Sequence, residues 1–267
     1  ERLIKLGSSL PLQKLTLSNS FNLSLKNVEF PRSLRSLEFG YEFNQPLEDV
    51  KLPNGLEILA FGQKFNQSLK GVKLPCKLQS LKFGLKFNQS LEEVYLPNSL
   101  QSLALGGDFG HHLLHLNFPS NLQKLELGKI SSEILENLEL PNALETLVFN
   151  QYFDASLDGL RFPLGLKTLV LGDTFDHPLE TTTFPDNLQS LTFGYYFNQC
   201  LDQVRFPDTL ECLTLGEYFN QSLEEVKFPS NLKSLTFGHE FCQSIDQVEL
   251  PENLQFLRFG FEFRRDL

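Results

Sequence analysis

The residues of this chain that could do chemistry begin with a small histidine cluster. His111, His112 and His115 form the run HHLLH, and imidazoles four residues apart can share a metal ion when both lie on one face of a helix. The run falls instead at a predicted junction between a turn and a strand, and no cysteine lies near it in the sequence. We therefore predict no metal site and no bound cofactor.

Cysteine is the second reactive residue type. The four cysteines occupy four different positions of the repeat that organises this chain, and the sequence has no C-x-x-C motif. Because matched pairs are missing, we expect no disulfide framework, and a reducing compartment, intracellular or organellar, is favoured over secretion. These residues are Cys76, Cys200, Cys212 and Cys242.

Acidic side chains recur once per repeat and do not form one unique catalytic pair. A lysine or arginine often follows three residues later, so we interpret the column as a solvated, charge-balanced sheet face, with a charged groove for a partner as the alternative. The motifs HExxH, GxSxG, GxxxxGK[ST] and GxGxxG are absent, so we predict no catalytic residue and no enzyme activity. The column is Glu48, Glu92, Glu136, Asp158, Glu180, Asp202, Glu224 and Asp246.

A repeat of 22 residues runs through the sequence. Prolines recur at this interval from Pro31 to Pro251, and with each Pro as position 1 the consensus is PxSLxxLxFGxxFNQxLxxVxL. Two segments per repeat, LxxVxL before the Pro and LxxLxF before the Gly, alternate apolar and variable residues, as short strands do. We therefore predict a mainly β solenoid of about twelve turns, with two short strands per turn and little α-helix, in one domain over residues 1–267.

Three other columns predict how the turns stack. Of the 26 phenylalanines, most fall at positions 9, 13 and 22, where identical rings can stack into a continuous core. Gly holds position 10 from Gly40 to Gly260, and Asn150 replaces it once, which predicts a tight corner with a positive φ angle. Asn recurs at position 14, where in-register amides can satisfy backbone groups of neighbouring turns.

These motifs resemble a known family. The run FNQxLxxVxLPxSLxxLxFG is similar to the FNIP repeat and to the BspA-type leucine-rich repeats, and the resemblance covers nearly the whole chain. It implies a leucine-rich-repeat solenoid that takes part in protein–protein interaction. The sequence departs from the pattern at KISSEIL, residues 129–135, where Ser131 replaces the Phe, and at residues 108–116, where Asn and Gln are lost.

The overall composition excludes several partners. The chain has 267 residues, a net charge of −10 and 41% hydrophobic residues, which is a foldable but acidic composition. An acidic chain has no general attraction for nucleic acid or for anionic membranes, and no apolar run is long enough for membrane insertion. The expected partner is therefore another protein.

The side chains at positions 6 and 8 of the repeat are the candidate binding surface. Both should point outward from the strand before the Gly, and from residue 146 onward they become small, uncharged and largely β-branched. Ordinary strand propensity explains the same pattern, so a flat contact face is one of two interpretations. Further exposed apolar candidates are Leu114, Phe256 and Phe261. The face comprises Thr146, Val148, Thr168, Val170, Ser190, Thr192, Thr214, Ser234 and Thr236.

The sequence as a whole favours a non-catalytic scaffold or recognition module. The alternative is a permanent structural subunit of a large assembly, and a remote one is an ice-binding surface built from the Thr columns. No capping repeat is recognisable at either end, so we expect a longer array, or ends that stack on another chain or on further repeats.

Overall fold

The computed structural model describes residues 11–264, except for the side chain of His111. The chain forms two compact units, residues 1–128 and 129–267. Among the described residues, each unit contains six short strands, one per coil, and the strands are numbered β1 to β12 along the chain. In the first unit they are β1 Lys14–Thr16, β2 Ser36–Glu38, β3 Ile58–Ala60, β4 Ser80–Lys82, β5 Ser102–Ala104 and β6 Lys124–Leu127.

The second unit repeats this arrangement. Two short helices complete the secondary structure of the described part of the chain, a 3₁₀ helix at Phe109–His115 in the first unit and α1 at Ser132–Glu136 in the second. The predicted fold class, a mainly β leucine-rich-repeat solenoid with little helix, is confirmed. That residues 1–267 form a single solenoid stays a prediction. The strands of the second unit are β7 Thr146–Phe149, β8 Thr168–Val170, β9 Ser190–Thr192, β10 Cys212–Thr214, β11 Ser234–Thr236 and β12 Phe256–Arg258.

Within each unit, successive strands pair in parallel with a shift of one repeat. Leu37 of β2 lies beside Leu59 of β3, and Leu191 of β9 lies beside Leu213 of β10. These leucines are completely buried, and of the residues that flank them only Ser36 is also buried. The alternation of side chains along a strand thus places one leucine per strand in the core and two side chains on the outer surface.

The prediction of two strands per turn is wrong. The LxxVxL segment forms a β-turn, in which the backbone N–H of Val72 donates to the carbonyl oxygen of Leu69 over 2.9 Å in the same coil. A three-residue spacing between two buried side chains suits such a turn, because both point inward while the residues between them are exposed. Each coil therefore has one strand and a series of turns.

Stacked phenylalanine rings fill the core, as predicted. At position 13, Phe43 and Phe65 have ring centroids 6.0 Å apart and planes inclined by 4°. Within a coil, the ring at position 9 packs on the ring at position 13, and Phe61 lies 3.9 Å from Phe65. Parallel, offset rings at these distances are favourable and bury a large apolar area.

The predicted reason for the glycine column is wrong. None of the described glycines at position 10 has a positive φ, and the glycines that do are Gly71 and Gly159 at another turn. The column is instead a place of close approach, since a Cβ atom on Gly62 would lie 1.8 Å from the carbonyl oxygen of Gly40. In the coils that carry glycine, the missing side chain lets successive coils approach this closely, whereas Asn150 takes the position in the coil after the irregular segment 129–135.

The asparagine ladder is confirmed. In the second unit, Oδ1 of Asn198 accepts the backbone N–H of Asn220 over 2.9 Å and the side-chain Nε2 of Gln221 over 3.0 Å. Asp176 fills the same role one coil earlier, accepting the N–H of Asn198 over 2.9 Å. The Asn–Gln pair of each coil is therefore bound to the coil before it.

Both departures from the consensus become short helices. Where Ser131 replaces the phenylalanine, α1 turns Leu135 completely into the core, and Ile130 is also buried. In the coil before it, the 3₁₀ helix keeps Phe109 in the ring stack, 5.8 Å from Phe87. Asn88 therefore has no successor in the ladder, and its Oδ1 is buried without a hydrogen-bond partner.

Candidate functional site

The outer residues of β7 to β11 form one surface of the second unit, here called the small-residue face. Every strand contributes two half-exposed or exposed side chains that flank a completely buried leucine. The structure thus brings together the nine residues predicted from positions 6 and 8, together with Cys212. Two columns result: Thr146, Thr168, Ser190, Cys212 and Ser234, and Val148, Val170, Thr192, Thr214 and Thr236.

Strict register keeps the two columns straight. Thr192 of β9 is paired with Thr214 of β10, which is paired in turn with Thr236 of β11. At the usual spacing of about 4.8 Å between strands, the five strands extend the face over roughly 20 Å. The surface carries no charged side chain over this distance.

The face lies on the concave side of its unit. The ring centroids of Phe237 and Phe259, directly after the strand, are 5.3 Å apart. Farther from the sheet, the centroids of Phe184 and Phe206 at position 22 are 6.5 Å apart. Because successive coils spread as they leave the sheet, the strands line the inner curve of the unit.

Charged residues border the face on the side where the strands begin. Lys167 pairs with Glu145 over 2.9 Å, and Lys233 pairs with Glu211 over 2.9 Å. All four side chains are roughly half exposed, so each pair contributes at most about 1 kcal/mol to stability. These ion pairs can still align a partner by charge.

The three additional apolar candidates lie in different places. Phe256 of β12 pairs with Ser234 and so extends the first column of the small-residue face, with 68% of its surface exposed. Phe261 follows β12 at the next corner and is also exposed. Leu114 belongs to the 3₁₀ helix of the first unit and is separate from these two.

Sequence reasoning missed a group of tyrosines at positions 11 and 12 of two successive coils. Tyr195, Tyr196 and Tyr218, here called the tyrosine cluster, are mutually in contact, with ring centroids 5.1–5.4 Å apart. All three are exposed. The signal was present in the sequence, where five of the six tyrosines fall at two adjoining repeat positions, but the Leu, Phe and Asn columns that define the repeat do not include those positions.

The arrangement offers no assembled centre for catalysis in the described part of the chain. No group of three or more His, Cys, Asp and Glu side chains is placed there to hold a metal ion. His112 packs against Phe109 with ring centroids 5.7 Å apart, and His115 is exposed. A groove of about 630 Å³ gathers both Arg205 and Glu225, but its lining comes from two adjacent coils only.

The acidic column that runs from Glu48 to Asp246 does not lie on a sheet, so its interpretation as a sheet face is wrong. Its residues lie in the turn of the LxxVxL segment, where Asp158 accepts a hydrogen bond from the hydroxyl of Thr181 and Lys70 pairs with Glu93 over 2.8 Å.

Among the described residues, no helix is both long and apolar enough to cross a membrane.

Comparison with known proteins identifies the repeat. The FNIP repeat profile matches residues 43–86, 87–129, 175–218 and 219–262, about two thirds of the chain. No curated protein sequence has significant similarity to the chain. The profile therefore confirms the family resemblance on most coils.

One of the solved structures with significant similarity supports the fold. CroV588, a circular leucine-rich-repeat protein, superposes with a TM-score of 0.72 at 31% identity, over 99% of this chain and 46% of its own. The present chain thus spans about half the length of that protein. An internalin of Listeria monocytogenes aligns at 16% identity over 86% of this chain and 74% of its own, with a TM-score of 0.45. A leucine-rich-repeat protein of Bacteroides ovatus aligns at 15% identity over 88% of this chain and 64% of its own, with a TM-score of 0.26.

Proposed function

Because the chain belongs to the FNIP repeat family and its coils have a leucine-rich-repeat fold, we propose that it is a non-catalytic recognition scaffold whose small-residue face binds a protein partner. Folds of this type are commonly used for protein interaction. The observation that supports this site is the pair of uncharged columns on β7 to β11, in strict register on the inner curve of the unit.

The face is suited to binding because it is already ordered. Thr, Val and Ser side chains have a single flexible χ angle, and the sheet fixes their backbone. A partner that docks there loses its own freedom but orders little of this chain, so less of the contact energy is spent on conformational entropy. The half-buried state of Thr192 and Thr214 means that a contact must be broad and close, as with an extended segment or a loop that follows the inner curve.

A pair of lysine substitutions tests the site. The variant Thr192→Lys with Thr214→Lys places two long charged side chains in the centre of the face without altering the buried leucines. The matched control is Thr183→Lys, since Thr183 is exposed on a turn whose repeat position holds Arg161 and Arg205 in neighbouring coils. Circular dichroism and thermal melting check that both variants fold.

The readout is chemical cross-linking in cells that express the tagged chain, followed by mass spectrometry of the cross-linked peptides. We expect cross-links from Lys167 and Lys233, which border the face, to one protein in the wild type and in Thr183→Lys, and the loss of these cross-links in the double variant. Cross-links that persist in the double variant, or that arise only from other surfaces, contradict the proposed site.

The alternative, a permanent structural subunit, predicts a different time course. A recognition scaffold exchanges its partner, so labelled chain added to the purified complex enters it. A permanent subunit is isolated in fixed stoichiometry and does not exchange over hours.

A further inference from the structure

The tyrosine cluster is an exposed aromatic surface that the core does not need. Tyr195 and Tyr196 have ring centroids 5.1 Å apart at an interplanar angle of 76°, and Tyr195 and Tyr218 are 5.2 Å apart at 62°. Between 44% and 51% of each side chain is exposed to solvent. Three phenol rings that share contacts at a corner present both ring faces and hydroxyl groups to the outside.

Acidic residues hold the neighbouring repeat positions in the coils before and after the cluster. Asp173 occupies the position of Tyr195 in the preceding coil, and the backbone N–H of Tyr196 donates to the carbonyl oxygen of Asp173 over 2.9 Å. Glu217 occupies that position in the following coil, and Glu240 follows Tyr218 by one coil. His239 is the one basic side chain at positions 11 and 12 of the repeat between residue 173 and residue 240. Its Nδ1 atom already lies 3.2 Å from the carboxylate of Glu217.

The same corner of the first unit has a cation of the chain itself beside a tyrosine ring. There, Tyr41 occupies the position of Tyr195, and the Nζ atom of Lys64 from the next coil lies 5.7 Å from the centroid of its ring. The same Nζ is 2.7 Å from Oε2 of Glu42. An ammonium group is thus held between a phenol ring and a carboxylate, both contributed by the preceding coil.

In the second unit the ring is present, but Tyr196 takes the position of Glu42, and the acidic residues of this corner are Asp173 and Glu217 at position 11. No lysine or arginine stands at positions 11 and 12 from residue 173 to residue 240. The position of Lys64 is taken by Tyr218, which adds a further ring. Tyr218 most of all, then partial desolvation, Tyr196 and Glu217 raise the pKa of Tyr195 above its ordinary value. The phenol therefore stays protonated and neutral around pH 7.

We propose that the tyrosine cluster, with Asp173 and Glu217, binds an arginine side chain exposed on a basic segment of a protein partner. A guanidinium plane stacks on aromatic faces and donates hydrogen bonds to carboxylates and phenol oxygens at its edge, and it is less strongly hydrated than an ammonium group. The cluster and the small-residue face are different surfaces, so this site does not depend on the use of that face. The negative charge of the whole chain, −10, assists the approach of a basic segment.

The probe is a blocked pentapeptide with two arginines among glycines, titrated into the full chain at low ionic strength. Ring-labelled tyrosines make binding visible by NMR, because the chain has only six tyrosines and no tryptophan. We expect the resonances of Tyr195, Tyr196 and Tyr218 to shift, whereas Tyr95, which is exposed on the first unit, stays unchanged. A pentapeptide with glutamate in place of arginine should cause no shift.

Two variants test which groups bind. The double variant Tyr195→Leu with Tyr218→Leu removes two rings. It should weaken binding of the arginine peptide by roughly tenfold, given about 0.5–1 kcal/mol for each exposed cation–π contact. Glu217→Gln keeps an acceptor for the backbone N–H of His239 and removes one charge, so it should weaken binding about threefold and reduce its salt dependence. Tyr95→Leu is the control and should bind as the wild type does.

Several results would overturn the proposal. Equal shifts at Tyr95, or equal binding of the glutamate peptide, would show that association is not specific to this surface. Unchanged affinity in both Glu217→Gln and the double tyrosine variant would show that the cluster takes no part. If the double variant does not fold, the Glu217→Gln variant and the site-resolved shifts of the wild type decide the question.

Discussion

The side-chain oxygen Oδ1 of Asn44 accepts a hydrogen bond of 2.9 Å from the backbone N–H of Asn66, one coil further along the chain. Nε2 of Gln67 donates to the same oxygen over 3.0 Å. Asn66 repeats this arrangement with Asn88 and Gln89. The FNQ motif is therefore a connector: its Phe stacks in the core, its Asn accepts from the next coil, and its Gln donates to the coil before.

Removing one ladder oxygen should destabilise the neighbouring coil. Asn198→Ala leaves the backbone N–H of Asn220 without its acceptor in a partly buried turn, which costs about 1–3 kcal/mol. Asn198→Asp should cost less than half as much, because Asp176 already serves as the acceptor in the same column. Urea unfolding followed by circular dichroism measures both variants.

Amide hydrogen exchange localises the effect, because each coil contacts mainly its neighbours. Faster exchange of Asn220 in the alanine variant supports the ladder as a stabilising element. Equal unfolding midpoints for the alanine and aspartate variants would mean that the hydrogen bond contributes nothing.

A methyl group at the close-approach corner should be far more damaging than one at a positive-φ glycine. Gly62→Ala places Cβ 1.8 Å from the carbonyl oxygen of Gly40, so two coils must separate, and we expect a loss of about 3 kcal/mol or more. Gly71 has a φ of 78° and free space around its Cβ direction, so Gly71→Ala should lose only about 1–2 kcal/mol through backbone strain. Chemical denaturation compares the two, and a larger loss for Gly71→Ala would refute this account of the column.

Much of the fold was predictable because a fixed repeat length fixes the register. Once Leu37 and Leu59 are one repeat apart, the same reasoning that pairs them also stacks Phe43 on Phe65. The sequence predicted the parallel columns, the ring stacks and the asparagine ladder for this reason. The candidate face on β7 to β11 followed from the same alternation of side chains.

What the sequence did not predict depends on distances between atoms. An apolar residue at every third position fits a strand edge or a turn, and only the hydrogen bond from Val72 to Leu69 decides for the turn. The absence of a side chain at Gly62 fits a positive φ or a close approach, and the neighbouring carbonyl decides for the approach. The contact of Tyr195 with Tyr218 depends on rotamers that no repeat pattern specifies.

The pH dependence of stability should show a small contribution from Glu38. Lys14 first of all, opposed in part by burial and assisted by Ser36 and Thr16, lowers the pKa of the Glu38 carboxyl. A folded-state pKa below the unfolded value of about 4.3 stabilises the fold above that pH, and this stabilisation is lost as the pH falls through the lower folded-state pKa. Glu38→Gln should therefore lower the free energy of unfolding by about 0.5–1 kcal/mol at pH 7, and should not change it at a pH below both pKa values.

Denaturation at a series of pH values measures that difference. The exposed Glu29 provides the control, since Glu29→Gln should not alter the unfolding free energy measurably at pH 7. A destabilisation by Glu38→Gln that stays constant down to the lowest pH would mean that packing, and not the ionised carboxylate, is responsible.

Truncation of a phenylalanine should cost more stability inside the ring stack than at an exposed position outside it. Phe197 is completely buried between Phe175 and Phe219, at centroid distances of 6.0 and 6.2 Å, so Phe197→Ala removes contacts on both sides and should cost about 3–5 kcal/mol. Phe261 is a phenylalanine outside the three columns with 74% of its surface exposed, and Phe261→Ala should change stability by less than about 0.5 kcal/mol. Thermal and urea unfolding of both variants provide the comparison, with exchange protection of the coils on either side of Phe197 as a local measure. Comparable losses for the two variants would show that the stacked rings are not the main source of cohesion between coils.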